Sequence, residues 1–173
     1  MKILVPVDGS ALSLEAVRHT LLLIRNGLRA DLVLANVQAP ASLYEIVVAH
    51  DPDVIKDVSA GAGAHLLETA REMCRKAGVA FESEVVSGDP VHALCELAEQ
   101  YGCHQIVIGA HGKGALASAL LGSIPHALAH ASPVPVTIVK PGEALQPSES
   151  EARDMQATPQ DLQDRQDLRE PAA

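Results

Sequence analysis

Short apolar runs alternate with helical patterns along this chain, and that alternation restricts the fold more than any other feature. Runs of strand length occupy Ile3–Val7, Leu32–Val37, Phe81–Val86, Gln105–Ile108 and Val134–Val139. Helical spacings of apolar residues occupy Leu12–Arg25, Asp53–Lys76, Pro90–Gln100 and a stretch from about Ile124 to His130. Such alternation predicts parallel strands joined by right-handed crossovers. We therefore expect an α/β fold with a single open five-stranded parallel sheet and helices on both faces.

The composition fits a helix-covered parallel sheet and argues against some partners. Hydrophobic residues make up 47% of the chain and aromatic residues 2%, so Val, Leu, Ile and Ala must build the core. The net charge of −9 argues against binding to nucleic acid or to an anionic membrane, because both need a cationic surface. The N-terminal apolar run is too short for a signal peptide and no run is long enough to span a membrane, so we expect a cytoplasmic protein.

The cysteines and histidines do not form a recognisable ligand set. The three cysteines include no CxxC pair, which argues against a disulfide framework or a zinc site. Cys74 and Cys95 lie in apolar helical patterns, so we expect buried free thiols. His126 and His130 are four residues apart, a spacing that can bind metal on a helix, but two ligands do not make a site. We therefore expect no metal site.

The character of the chain changes near residue 143. We expect an α/β domain over residues 1–142, followed by an acidic, mostly disordered tail over residues 143–173 that is rich in Gln, Asp, Pro and Ser. A short helix over 159–169 is the alternative within this tail, because Thr158-Pro159-Gln160-Asp161 resembles a helix start. Pro135 cannot donate to a β-ladder, so the last strand should lie at an edge of the sheet.

The stretch Gly109–Ser123 carries the most chemical information. It lies between a buried strand and a helix, and open α/β sheets bind ligands beyond the carboxyl ends of their strands. Gly109 and Gly112 allow the backbone to come close to a bulky ligand. We expect Gly122 to turn the chain and keep its amide free. We expect Ser123 to cap the next helix, whose first amides form an anion site.

Two familiar phosphate motifs do not fit this stretch. A P-loop needs a glycine where this chain has Val107, and it needs Ser or Thr where Gly114 follows Lys113. A dinucleotide fingerprint that starts at Gly112 needs an acid about 20 residues further on, and Val134–Val139 contains none. What remains is the longer spacing Gly-x2-Gly-x9-Gly-Ser.

That spacing resembles the signature of the nucleotide-binding branch of the universal stress protein family. Three other segments are similar to the same family: residues 3–10 resemble its opening strand, residues 87–90 the turn before its third helix, and residues 131–136 its last strand. The resemblance covers about residues 1–141. One local difference is Pro125, where the family often has a polar residue.

The resemblance implies a Rossmann-like sheet of strand order 3-2-1-4-5, a homodimer formed through Val134–Val139, and ATP, with or without Mg²⁺, over the strand ends. Asp8 matches an acid near adenine and ribose, Val37 a backbone contact to adenine, and Gly109 a ribose contact. The later glycines and the serine of the spacing match phosphate contacts. The expected cofactor-binding residues are Pro6, Val7, Asp8, Val37, Gly109, His111, Gly112, Lys113, Gly122 and Ser123.

The expected function is that of a dimeric, ATP-binding regulatory protein of the stress response, not an enzyme. A slow ATP hydrolase or nucleotidyl transferase is one alternative, and it has only Asp8, His111 and Lys113 as candidate groups. A dimeric interaction module without a ligand is the other. Simpler roles also remain open for single residues, since Asp8 can cap the first helix and Lys113 can be a solvated lysine.

Overall fold

The computed structural model describes three parts of the chain, residues 1–38, 52–112 and 121–141. Within these, only the backbone is described for residues 52–60. Met1–Lys140 form one compact unit. The predicted acidic tail, the alternative helix within it, and Lys113 lie outside the described residues.

Strands and helices alternate along the described residues as the sequence predicts. The strands β1 to β5 are Lys2–Pro6, Asp31–Gln38, Phe81–Ser87, Gln105–Gly109 and Val136–Val139. The helices α1 to α4 are Ala11–Arg25, Pro52–Ala77, Pro90–Gln100 and Ser123–Ala131. Within the described ranges, none of the helices combines the length and the apolar character needed to cross a membrane.

The five strands form one parallel sheet in the order β3-β2-β1-β4-β5, which confirms the predicted fold class and strand order. Leu4 of β1 pairs with Val33 of β2 on one side and with Ile106 of β4 on the other. The central strand β1 is thus hydrogen-bonded on both sides, and its end lies in the middle of the carboxyl edge of the sheet.

The last strand lies at an edge of the sheet, as predicted, but it begins at Val136 and not at Val134. Pro135 explains the later start, because a proline has no N–H to donate to the ladder. Its carbonyl still accepts a hydrogen bond from the N–H of Ile106 at 2.9 Å. Pro135, directly before β5, therefore takes part in the sheet only through its carbonyl oxygen.

Successive side chains of the sheet point to opposite faces, and each face has its own core. On one face, Ile3 and Val5 of β1 pack with Val17 of α1 and Leu67 of α2. On the other face, Leu4 packs with a buried cluster from α3 and α4, made of Leu94, Leu97, Ala98 and Leu128. Helices therefore cover both faces, as expected for a parallel sheet with apolar strands.

Two helices begin at well-formed N-caps beside the carboxyl edge of the sheet. Asp89 caps α3 by accepting a hydrogen bond on Oδ1 from the N–H of His92 at 2.9 Å, and Pro90 takes the first helical position, as predicted. Ser10 caps α1, because its Oγ accepts from the N–H of Ser13 at 3.1 Å. Both caps fix the direction in which the chain leaves a strand end.

The three cysteines are free thiols in different surroundings. Cys74 and Cys103 are buried, and burial raises the pKa of the Cys74 thiol to about 11. Cys95 is only half-buried, which corrects the expectation of a buried thiol. Its Sγ lies 3.8 Å from the carbonyl oxygen of Ala131, between α3 and the end of α4, where the thiol stays partly exposed to solvent.

Candidate functional site

A cleft opens where the carboxyl ends of β1 and β4 lie side by side. After β1 the chain enters α1 on one face of the sheet, and after β4 it enters α4 on the other face. Such a divergence is the switch point at which open α/β sheets bind ligands. The cleft and the solvent-filled space at its open mouth together amount to about 570 Å³.

The cleft brings together most of the residues that the sequence predicts for cofactor binding. Seven of them line it: Pro6, Val7, Asp8, Val37, Gly109, His111 and Gly112. Gly122 and Ser123 do not line the cleft, although Ile124 and Pro125, directly after them, do. Lys113 lies outside the described residues. Residues that are far apart in sequence thus converge from β1, β2, β4 and the start of α4.

One side of the cleft is apolar. Ala35 and Val37 come from the end of β2, Pro90 and Leu94 from the start of α3, and Ile108 from β4. Apolar walls with a few polar groups at defined positions are typical of pockets that hold flat organic rings. The polar lining residues are Asp8, Ser13, Asn36 and His111.

Eight lining residues were not predicted: Ser13, Ala35, Asn36, Pro90, Leu94, Ile108, Ile124 and Pro125. Two of them could have been found from a feature of the sequence. Pro90 opens a helix directly after a strand, which places it at the carboxyl edge of the sheet. Asn36 is a polar residue within the otherwise apolar run of β2. The remaining ones carry no such signal in the sequence, and only the packing of the helices around the sheet shows that they face a cleft.

Asp8 lies directly beyond β1, in the turn that leads into α1. Its Oδ1 accepts a hydrogen bond from the N–H of Ser10 at 2.9 Å, which fixes the carboxylate within the turn. The helix cap is Ser10 and not Asp8, so the simple reading of Asp8 as the N-cap of α1 is wrong. The carboxylate lines the cleft next to the loop after β4.

The first two glycines of the predicted spacing lie against the turn after β1. A Cβ atom on Gly112 would lie 2.5 Å from Oδ2 of Asp8, far inside contact distance. A Cβ atom on Gly109 would lie 3.0 Å from the backbone oxygen of Leu12 in α1. A side chain on Gly109 would therefore press on the backbone of α1, whereas one on Gly112 would press on the Asp8 carboxylate, whether or not a ligand is bound.

The third glycine of the spacing does not act as expected. Its N–H donates to the carbonyl of Ala110 at 2.8 Å, so the Gly122 amide is not free for a ligand. Gly122 itself is the N-cap of α4, with φ −63° and ψ 157°, and Ser123 is the first helical residue. The expectation that Ser123 caps α4 is therefore wrong, because the chain already turns at Gly122 to reach Ala110.

The first turn of α4 still offers backbone donors beside the cleft. An α-helix has no internal acceptor for its first N–H groups, which here include those of Ser123 and Ile124. Pro125, buried in the cleft wall, contributes no N–H. The anion-binding capacity of this helix start thus rests on two consecutive amides.

The two histidines of α4 lie close together, away from the lining of the cleft. The ring centroids of His126 and His130 are 5.0 Å apart with an angle of 58° between the planes. Within the described ranges, no group of three or more His, Cys, Asp or Glu side chains could hold a metal ion.

The sheet order, the helices on both faces and the cleft at the switch point define a Rossmann-like α/β protein. Comparison with known proteins then identifies the family. The sequence model described as "Universal stress protein family" matches residues 1–140, and this chain belongs to that family. The family predicted from the glycine spacing is therefore confirmed.

Individual relatives resemble the chain over nearly their whole length. The universal stress protein YxiE of Bacillus subtilis is 32% identical over 146 residues, which cover 80% of this chain and 98% of that protein. The solved structure of protein MJ0577 has a TM-score of 0.70 at 26% identity and covers 82% of this chain and 96% of its own. A universal stress protein in complex with cAMP has a TM-score of 0.60 at 30% identity, with 80% and 96% covered.

Proposed function

We propose that this protein binds an adenine nucleotide, specifically ATP with or without Mg²⁺, in the cleft between the ends of β1 and β4. The observation that carries the proposal is the convergence of Asp8 with Gly109 and Gly112 at the switch point of the sheet. The relative solved with cAMP, an adenine nucleotide, supports the same ligand class.

The lining of the cleft offers both apolar and polar contacts for such a ligand. The adenine ring would lie on the apolar side, between Val37 and the wall formed by Pro90 and Leu94. The phosphates would lie toward Gly112 and the first amides of α4, where the helix dipole favours negative charge. Asp8 would face the ribose, whose hydroxyl groups can donate to a carboxylate.

The biological role that we propose is regulation and not catalysis. Nucleotide binding would change the surface of the protein and its affinity for a partner during the stress response. We further propose that two copies pair through β5, which is an edge strand with half-buried Val136, Thr137 and Ile138. An apolar edge of this kind favours pairing with another strand over exposure to water.

Mass spectrometry of the small molecules released from freshly purified protein tests the ligand assignment. We expect an adenine nucleotide in a molar amount that approaches that of the protein or, if the cleft empties during purification, a raised melting temperature on adding millimolar ATP with Mg²⁺. Recovery of no nucleotide, together with an unchanged melting temperature, would contradict the proposal. An unrelated released ligand that ATP cannot displace would contradict it as well.

A further inference from the structure

One lining residue of the cleft is both polar and almost fully buried. Asn36 in β2 is only 2% exposed. Its Nδ2 donates a hydrogen bond to the carbonyl oxygen of Val7 at 2.7 Å. Its Oδ1 accepts a hydrogen bond from Nε2 of Gln38. Because both ends of the amide have a partner, the side chain has a single favourable orientation in the cleft wall.

The bond to Val7 acts on the peptide that leads to Asp8. The carbonyl of Val7 belongs to the planar Val7–Asp8 peptide, so holding that oxygen also orients the N–H and Cα of Asp8. The N–H of Val7 donates to the carbonyl oxygen of Ala35 at 2.8 Å. Since β1 ends at Pro6, these two bonds from β2 hold the chain where the ladder has stopped.

Helix α2 closes the other side of the same amide. At Gly63, a Cβ atom would lie 2.8 Å from Oδ1 of Asn36 and 2.5 Å from Cγ1 of Val85. The helix therefore touches the amide with bare backbone, and a side chain there would have to displace it. At Gly61, two residues earlier in the same helix, a Cβ atom would meet nothing within 4 Å.

We propose that Asn36 is a positioning residue of the nucleotide site, which acts by orienting the Val7–Asp8 peptide and thereby the Asp8 carboxylate. This inference rests on the proposed function, since it concerns the affinity of the same cleft for ATP. It differs from a purely structural role of a buried amide. A structural role predicts lost stability alone, whereas positioning predicts that the effect on ATP binding passes through Asp8.

A double-mutant cycle separates these roles. Isothermal titration with ATP and Mg²⁺ would compare the wild type, Asn36→Ala, Asp8→Asn and the double variant. We expect each single variant to bind roughly tenfold more weakly, and the double variant to bind within about twofold of the weaker single one. Thr20→Val is the control, because Thr20 is also fully buried and donates to Ala16 at 2.8 Å, but it does not line the cleft.

The outcomes distinguish failure of this inference from failure of the proposed function. Absence of ATP binding by the wild type would overturn the proposed function, and this inference with it. Binding by the wild type and equally by folded Asn36→Ala would overturn the positioning role alone. Losses that multiply in the double variant would also overturn it, because independent sites give additive free energies.

If Asn36→Ala does not fold, two substitutions on α2 provide a test in which Asn36 itself is unchanged. Gly63→Ala disturbs the contact between α2 and the Asn36 amide, and Gly61→Ala is its matched control. We expect Gly63→Ala to weaken ATP binding at least about fivefold, because its Cβ would displace the Asn36 amide that holds the Val7 carbonyl. Gly61→Ala should leave ATP binding unchanged, since its Cβ enters open space. Equal affinities of these two variants, both folded, would overturn the proposal.

Discussion

Oδ2 of Asp8 lies where a side chain on residue 112 would begin, since a Cβ atom on Gly112 would approach it to 2.5 Å. Asp8 after β1 and Gly112 in the loop after β4 are thus in close contact, although about a hundred residues separate them in sequence. This contact gives the glycine a physical role besides access for a ligand. It also makes the position of the carboxylate dependent on the loop that should bind phosphate.

Gly112→Ala should weaken ATP binding by at least about tenfold, because the new Cβ must displace either the Asp8 carboxylate or the loop. Gly112 is exposed and its φ lies outside the left-handed region, so the free energy of unfolding should change by less than about 0.5 kcal/mol. Titration calorimetry and urea unfolding measure the two effects. Unchanged affinity in Gly112→Ala would show that the Asp8 contact does not matter for the ligand.

Gly109→Ala should instead destabilise the fold. Its Cβ would lie 3.0 Å from the backbone oxygen of Leu12, and backbone yields less easily than a side chain. Overpacking of this kind costs about 1–3 kcal/mol. The urea midpoint should fall with an unchanged slope of the unfolding free energy against urea. A midpoint equal to that of the wild type would mean that α1 can move away from β4 without cost.

Asp89→Ala should remove the cap of α3 and cost about 1 kcal/mol of stability, because the N–H of His92 loses its acceptor. ATP binding should stay within about twofold of the wild type, because Pro90 and Leu94 keep their places in the wall. Asp89→Asn is the matched control, since asparagine caps as well as aspartate does. Equal loss of stability in both variants would contradict the capping role.

The stability of the protein should fall between pH 10 and 12, in part through Tyr101. Its hydroxyl donates to the Glu84 carboxylate, and this bond, aided by burial, raises the pKa of Tyr101 from 10.0 to about 12. The folded state therefore keeps a proton in this window that the unfolded state loses, so stability declines as the pH rises. Urea unfolding of Tyr101→Phe over the same pH range should show a smaller decline. Identical pH profiles would contradict this coupling.

The three thiols should react with an alkylating reagent in a defined order. Burial raises the pKa of all three thiols, but Cys95 is only half-buried and should react first, since Cys74 and Cys103 are buried out of reach of the reagent. Peptide mass mapping after timed labelling of the native protein at pH 8 gives the order. Early labelling of Cys74 would show that α2 opens more easily than its packing against β2 and β3 indicates.

Most of the fold could be predicted because its signals are local. The apolar run at the start of the chain and the periodic pattern after it each specify one element without knowledge of the rest. The edge position of β5 followed from Pro135 alone, but its first residue did not. Where a strand starts depends on which neighbour supplies the hydrogen bonds, and here the carbonyl of Pro135 bonds to Ile106 while its nitrogen cannot.

The candidate site was less predictable, because several of its features arise from contacts between distant elements. The cap of α4 could not be assigned from Ser123, since the turn at Gly122 is determined by its bond to Ala110. Asn36 could be seen as a polar residue in an apolar strand, but its partner Val7 belongs to another strand. The glycine spacing predicted that a site exists. The residues that form its walls could be identified only from the way the helices pack against the sheet.

Isothermal titration of the full chain is the decisive test of whether the cleft at the ends of β1 and β4 binds an adenine nucleotide. ATP with Mg²⁺ would be titrated into the protein after any bound nucleotide has been removed. We predict saturable binding with a dissociation constant in the micromolar range, about −8 kcal/mol, and one nucleotide per chain. No heat of binding at millimolar ATP from folded, nucleotide-free protein would contradict the account.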